Sequence, residues 1–113
     1  MSHITTHVLD TTLGKPAQGI SIVLEQFTLS GSWKQLGAGK TNADGRLPNL
    51  LEPGIIAAPG IYHLVFDTAS YFKALGVKGF YPEVTIAFEI TDASHYHVPL
   101  LLNPFGYSTY RGS

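Results

Sequence analysis

Ile20-Ser21-Ile22-Val23-Leu24-Glu25-Gln26-Phe27 decides the fold class. Ile20, Ile22 and Leu24 alternate with Ser21, Val23 and Glu25, the period of a strand that turns one face to a core. The same texture extends in both directions. Residues 4–10 read as a strand before it, and residues 32–40 as a weaker one after it. Residues 61–68, 83–91, 95–102 and 107–110 read as further strands.

Between them the punctuation is Gly, Pro, Asn and Asp. Asn42-Ala43-Asp44-Gly45 is a turn, with Gly45 free to take a positive φ, and a short strand restarts at Arg46. Residues 48–59 hold three prolines and little periodicity, so they form a loop. Residues 69–75 suit two helical turns, with Thr68 as the N-cap and Gly76 as the stop. About eight short strands and one short helix make an all-β, two-sheet sandwich. With 113 residues the chain is a single domain, residues 1–113.

Composition narrows the function. There is no cysteine, which excludes a disulfide framework and thiol chemistry. The net charge is −1 and no basic run occurs, so nucleic acid is not an expected partner. No apolar run has the roughly 18 residues of a membrane helix. The first residues lack the basic-then-apolar order of a signal peptide, and Arg111-Gly112-Ser113 is not the Ser-Lys-Leu peroxisomal address, so the expected place is the cytoplasm. Charged residues make up only 13% of the chain. A small domain exposes much surface and usually charges it, so part of this surface is expected to be buried between subunits.

Period two also sorts the side chains that carry chemistry. Thr5, His7 and Leu9 share one face of their strand, and Ile4, Thr6 and Val8 the other. His95, His97, Pro99 and Leu101 oppose Tyr96, Val98, Leu100 and Leu102. The second set of each strand suits the core, so the histidines point away from it. A histidine there is a solvated residue or a general base. His95 and His97 with His7 also raise a three-histidine zinc site, although no carboxylate stands at ligand spacing. Arg46 is a solvated turn residue that pairs with Asp44, or a donor fork for a planar, anionic or carbonyl-rich ligand. Spacing alone does not choose. There is no Gly-x-Ser-x-Gly elbow, phosphate loop or dinucleotide fingerprint.

Four segments and the last residues carry a resemblance. They are Thr6-His7-Val8-Leu9-Asp10-Thr11 with Gly14-Lys15-Pro16-Ala17, the run from Gly39 through Asp44-Gly45-Arg46, Tyr71-Phe72-Lys73-Ala74-Leu75-Gly76, and His95-Tyr96-His97-Val98-Pro99-Leu100-Leu101-Leu102. The last is Tyr110-Arg111-Gly112-Ser113. Together they span essentially the whole chain, which resembles the 5-hydroxyisourate hydrolases of the transthyretin-like family. The resemblance implies a cofactor-independent, metal-free hydrolysis of 5-hydroxyisourate to 2-oxo-4-hydroxy-4-carboxy-5-ureidoimidazoline in urate degradation. It also implies a homotetramer with active sites in a channel between dimers. It assigns His7, Arg46 and His97 to catalysis, with His7, Arg46, Tyr110 and Ser113 binding substrate. His95 is expected to play a structural or supporting part. The alternative is the family's other branch, a carrier that binds a small hydrophobic ligand in the tetramer channel. That branch has lysine at the position of His7, glutamate at Arg46, and threonine at His97 and Tyr110. One departure from the hydrolase pattern is Asn103 before Pro104, where serine is common.

Overall fold

A computed structural model describes residues 2–113. Among the described residues nine strands and one helix follow in the order β1 (Ile4–Asp10), β2 (Lys15–Pro16), β3 (Ser21–Phe27), β4 (Trp33–Lys40), β5 (Arg46–Leu47), β6 (Gly60–Phe66), α1 (Thr68–Ala74), β7 (Val84–Ile90), β8 (Tyr96–Asn103) and β9 (Gly106–Thr109). One sheet runs β2-β1-β8-β9, with β5 also pairing β1, and the other runs β4-β3-β6-β7. The expected strands are present to within two residues at their ends. The addition is β2, a two-residue pairing of Lys15 and Pro16 with Asp10 and Leu9.

The two sheets close over an apolar layer, as their alternation requires. Ile22, Leu24, Leu64, Phe66 and Ile90 enter it from one sheet, and Ile4, Val8, Val98, Leu100 and Leu102 from the other; all are buried. Burying such side chains is worth about 1.5–3 kcal/mol each. That sum fixes which way every strand faces, because a one-residue slip would expose the whole apolar set. The orientation of the histidines is therefore a by-product of the core.

The central pair of the first sheet is parallel, β1 against β8, with Thr5 opposite His97, Thr6 opposite Val98 and His7 opposite Pro99. Parallel neighbours cannot be joined by a hairpin. Here nearly the whole chain separates them, and residues distant in sequence become adjacent on one outer surface.

The helix starts one residue earlier than expected. Asp67, not Thr68, is its N-cap: the Asp67 carboxylate accepts from the Ser70 N–H at 3.1 Å. The Thr68 hydroxyl is drawn away to donate to the Tyr81 carbonyl at 2.7 Å. Gly76, with φ +69°, ends the helix as its sequence position implied. Among the described residues no helix is long and apolar enough to cross a membrane.

Candidate active site

Three local structures bring the site together. The first is the strand pair β1/β8, whose outer face carries Thr5, His7 and His97. His97 and His7 are half-buried, and their rings lie nearly parallel with centroids 6.5 Å apart. This is the face that the alternation of apolar residues left over for them.

The second is the Asn42–Gly45 turn. The Asn42 side-chain oxygen accepts from the Asp44 N–H at 2.9 Å and from the Arg46 N–H at 3.1 Å, which folds the chain back on itself. Gly45 has φ +72°, and a Cβ there would collide with the Val8 carbonyl oxygen. Only glycine fits, because the turn is tucked against β1, where the Val8 N–H donates to the Gly45 carbonyl at 2.7 Å. The turn thus sets Arg46 directly opposite His7 in the β1/β5 pairing. The pairing with Asp44 considered above does not form. Among the described residues the Arg46 guanidinium makes no ion pair or hydrogen bond, and the side chain is exposed.

The third is the end of the chain. The Gly112 N–H donates to the His97 carbonyl at 2.8 Å, outside the regular strands. A Cβ on Gly112 would stand 2.5 Å from His97 Cδ2 and 3.2 Å from Pro99 Cγ, so the chain passes at closest approach over the His97 ring. The Arg111 guanidinium lies 4.3 Å from the centre of the Tyr96 ring. These contacts hold down residues that would otherwise fray.

The three parts enclose a cavity of about 240 Å³, lined by Thr5, Arg46, Pro48, His95, His97 and Ser113 among others. His7 stands beside it, opposite Arg46 and next to His97. Ser113 forms part of the cavity wall. Tyr110, 59% exposed, lines an adjoining hollow that shares His97 with this cavity. A larger hollow of about 420 Å³ lies beside α1, bordered by Lys73, Lys78, Phe80 and Tyr81, but it contains no histidine or carboxylate. His95 and His97 both line the smaller one.

Electrostatics suit the histidines to that chemistry. Desolvation, then the Arg46 charge, then His95 and His7 hold the His97 imidazole below its ordinary value. Desolvation and the Arg46 charge also lower His7, opposed by a hydrogen bond to the Asp44 backbone and by the Asp44 charge. Both rings are consequently neutral at pH 7 and can accept a proton. Among the described residues no three His, Cys, Asp or Glu side chains converge as metal ligands. His95 and His97 instead both direct a nitrogen at the Thr5 hydroxyl, at 2.8 Å and 2.7 Å.

Thr5 and Gly112 were not singled out from sequence. A threonine in a strand is an ordinary β-former, and a glycine near a chain end reads as slack. The available signal for Thr5 was its place two residues before His7 on the same face.

Residues 4–112 match the family model described as the HIUase/Transthyretin family. A 5-hydroxyisourate hydrolase of Mus musculus is 49% identical, the match covering 99% of this chain and 96% of the relative. The 5-hydroxyisourate hydrolase 2 of Rhizobium meliloti is 51% identical over 97% of this chain and 95% of its own. Among solved structures, Klebsiella pneumoniae 5-hydroxyisourate hydrolase superposes with a TM-score of 0.85 at 34% identity, covering 97% of this chain and 98% of that one. Sea bream transthyretin in complex with thyroxine superposes with a TM-score of 0.90 at 31% identity, covering 98% and 95%.

Proposed function

Because the chain belongs to the HIUase/Transthyretin family, we propose that its chemistry takes place at the His7–Arg46–His97 cavity. The activity is hydrolysis of 5-hydroxyisourate, a step of urate degradation. The fold alone does not separate hydrolase from carrier, since a transthyretin superposes as well as a hydrolase does. The observation that carries the choice is the site. The His97 imidazole and an unpaired guanidinium line one small cavity, with the His7 ring 6.5 Å from that of His97, in a chain about half identical to relatives named for this reaction. A hydrophobic ligand has no use for three such groups.

The substrate is flat and rich in carbonyls. Water adds to a ring carbonyl, and the adjacent ring C–N bond then breaks. One imidazole of the His7/His97 pair takes the proton from the water and, as the imidazolium so formed, returns it to the departing ring nitrogen, while the other ring orients the water. Arg46 faces the carbonyl oxygen and stabilises the negative charge that develops on it, and its planar fork also holds the substrate in the plane of attack. Ser113 borders the same cavity and Tyr110 the adjoining one that shares His97, which supports a substrate-binding part for both. The product is 2-oxo-4-hydroxy-4-carboxy-5-ureidoimidazoline, and no cofactor takes part.

The proposed assembly is a homotetramer, with the site facing a second dimer. Its support is the low charge content and the exposure of Phe105, Tyr107 and Tyr110 on and beside β9, with Phe105 72% exposed. Leu100 and Leu102, apolar neighbours in sequence, lie in the core and contribute nothing to that surface.

The test is ultraviolet decay of freshly generated 5-hydroxyisourate. Catalytic decay proportional to protein concentration is expected. Stoichiometric binding without acceleration would point to the carrier instead.

A further inference from the structure

The reaction above uses His7 and His97 and leaves His95 without a task. Yet His95 lines the same cavity and is tied to His97 through one atom. Thr5 Oγ1 lies 2.7 Å from His97 Nδ1 and 2.8 Å from His95 Nε2. Thr5 is only 7% exposed, although it stands on the outer face of its strand. Its β-branched side chain is stiff at χ1, and the β1/β8 register holds it directly opposite His97.

A hydroxyl has one hydrogen to give and two lone pairs to receive. It can therefore donate to one of these two ring nitrogens and accept from the other. Two arrangements satisfy both contacts, and they leave His97 in opposite tautomers. The Arg46 guanidinium, on the wall of the same cavity, decides between them. A cation favours a lone pair directed toward it over an N–H.

We propose that the Thr5 hydroxyl, backed by His95, is a positioning group that sets the tautomer of His97. His97 Nδ1–H donates to Thr5 Oγ1, Thr5 O–H donates to His95 Nε2, and His97 Nε2 keeps its lone pair toward the cavity. His97 is then the member of the pair that accepts the proton of the attacking water. When Nε2 takes that proton, the Nδ1–H bond to Thr5 is already in place and nothing needs to rearrange. The assignment rests on His97 being a reacting group, and it deepens that reading by choosing the base.

The test combines ring ¹⁵N spectra with steady-state kinetics. The parent should show His97 protonated on Nδ1. Thr5→Val keeps the shape and removes the hydroxyl. It should give a mixture of His97 tautomers and lower kcat by roughly tenfold or more, the scale for losing an orienting partner, with KM nearly unchanged. Thr5→Ser should restore both the single tautomer and kcat, which also separates the effect from misfolding. His95→Ala should again mix the tautomers. A parent spectrum with the His97 proton on Nε2, or a Thr5→Val variant with parent kcat and parent tautomer, would overturn the assignment. The spectrum needs no turnover, so its failure is distinct from a failure of His97 as base, which His97→Ala reports.

Discussion

His97 and His63 occupy matching positions on the two sheets. Each points away from the core from an interior strand, and each has one ring nitrogen bonded to a neighbouring strand. His97 bonds Thr5 at 2.7 Å, and His63 bonds Glu25 at 2.6 Å. They differ in what else surrounds them. Trp33 stacks flat on His63, with ring centroids 3.6 Å apart, and leaves it 8% exposed. The partner there is a carboxylate. His97 has two imidazoles and a guanidinium for neighbours, and it borders a cavity. A bonded, sheltered histidine is thus common to a structural clamp and to the proposed reactive site. Open space and an unpaired cation beside the ring distinguish His97 from His63.

The largest expected effect on this contrast comes from His7, the second ring on the reactive side. His7→Ala should lower turnover about a hundredfold or more, the scale of general acid–base catalysis. The unfolding midpoint should move little, because the ring lies outside the core. Stopped-flow decay of substrate and a denaturant titration read the two quantities. Near-parent turnover would leave His97 working alone.

Arg46 comes next. Arg46→Ala should cost on the order of a hundredfold in kcat through the lost oxyanion partner. Arg46→Lys should recover only part of that, since an ammonium cannot present a planar fork. Full activity of the lysine variant would mean that position 46 needs only a positive charge.

The tail gives a more moderate effect. Removing Tyr110 to Ser113 deletes the Gly112 bridge to His97 and the Ser113 wall of the cavity. Activity should fall by roughly tenfold or more, on the scale of an orienting partner. Stability should change by no more than about 1 kcal/mol, because these residues lie beyond the core. Light scattering on both forms should show a tetramer for the parent. A truncated chain that turns over normally would return the tail to a bystander.

The smallest effect is on pH dependence. His7 and His97 are both held below the usual histidine value, so each stays neutral and competent at pH 7. Rate should fall only as pH drops below the ordinary 6.5 and protonates them. Arg46→Ala removes a cation that lowers both, although desolvation remains the larger cause. The acid limb of kcat/KM should therefore move to higher pH in that variant. An acid limb that stays fixed would mean that Arg46 does not act on the titrating ring.

Much of this is legible in the sequence. Alternation in residues 20–27 and 95–102 fixed the faces, because burying Ile22, Leu24, Val98 and Leu100 leaves no freedom for the residues between them. The pairing of Lys15–Pro16 was not legible, since two residues cannot display a period. The helix cap went to Asp67 rather than Thr68 because the Tyr81 carbonyl, thirteen residues on, claims the Thr68 hydroxyl. Roles for His7, Arg46 and His97 came through resemblance, as spacing left each open. Their proximity depends on the parallel β1/β8 pairing and the tucked Gly45 turn, both long-range events. The Thr5 link between His95 and His97 was hidden for the same reason.

The most direct test of the contrast places His97→Ala and His63→Ala side by side in the decay assay for 5-hydroxyisourate. His97→Ala should lose about a hundredfold or more in turnover while unfolding at nearly the parent midpoint. His63→Ala should keep parent turnover and lose about 1 kcal/mol of stability as Trp33 gives up its stacking partner. Parent-like turnover in His97→Ala, or a comparable loss in His63→Ala, would contradict the assignment of catalysis to the β1/β8 face.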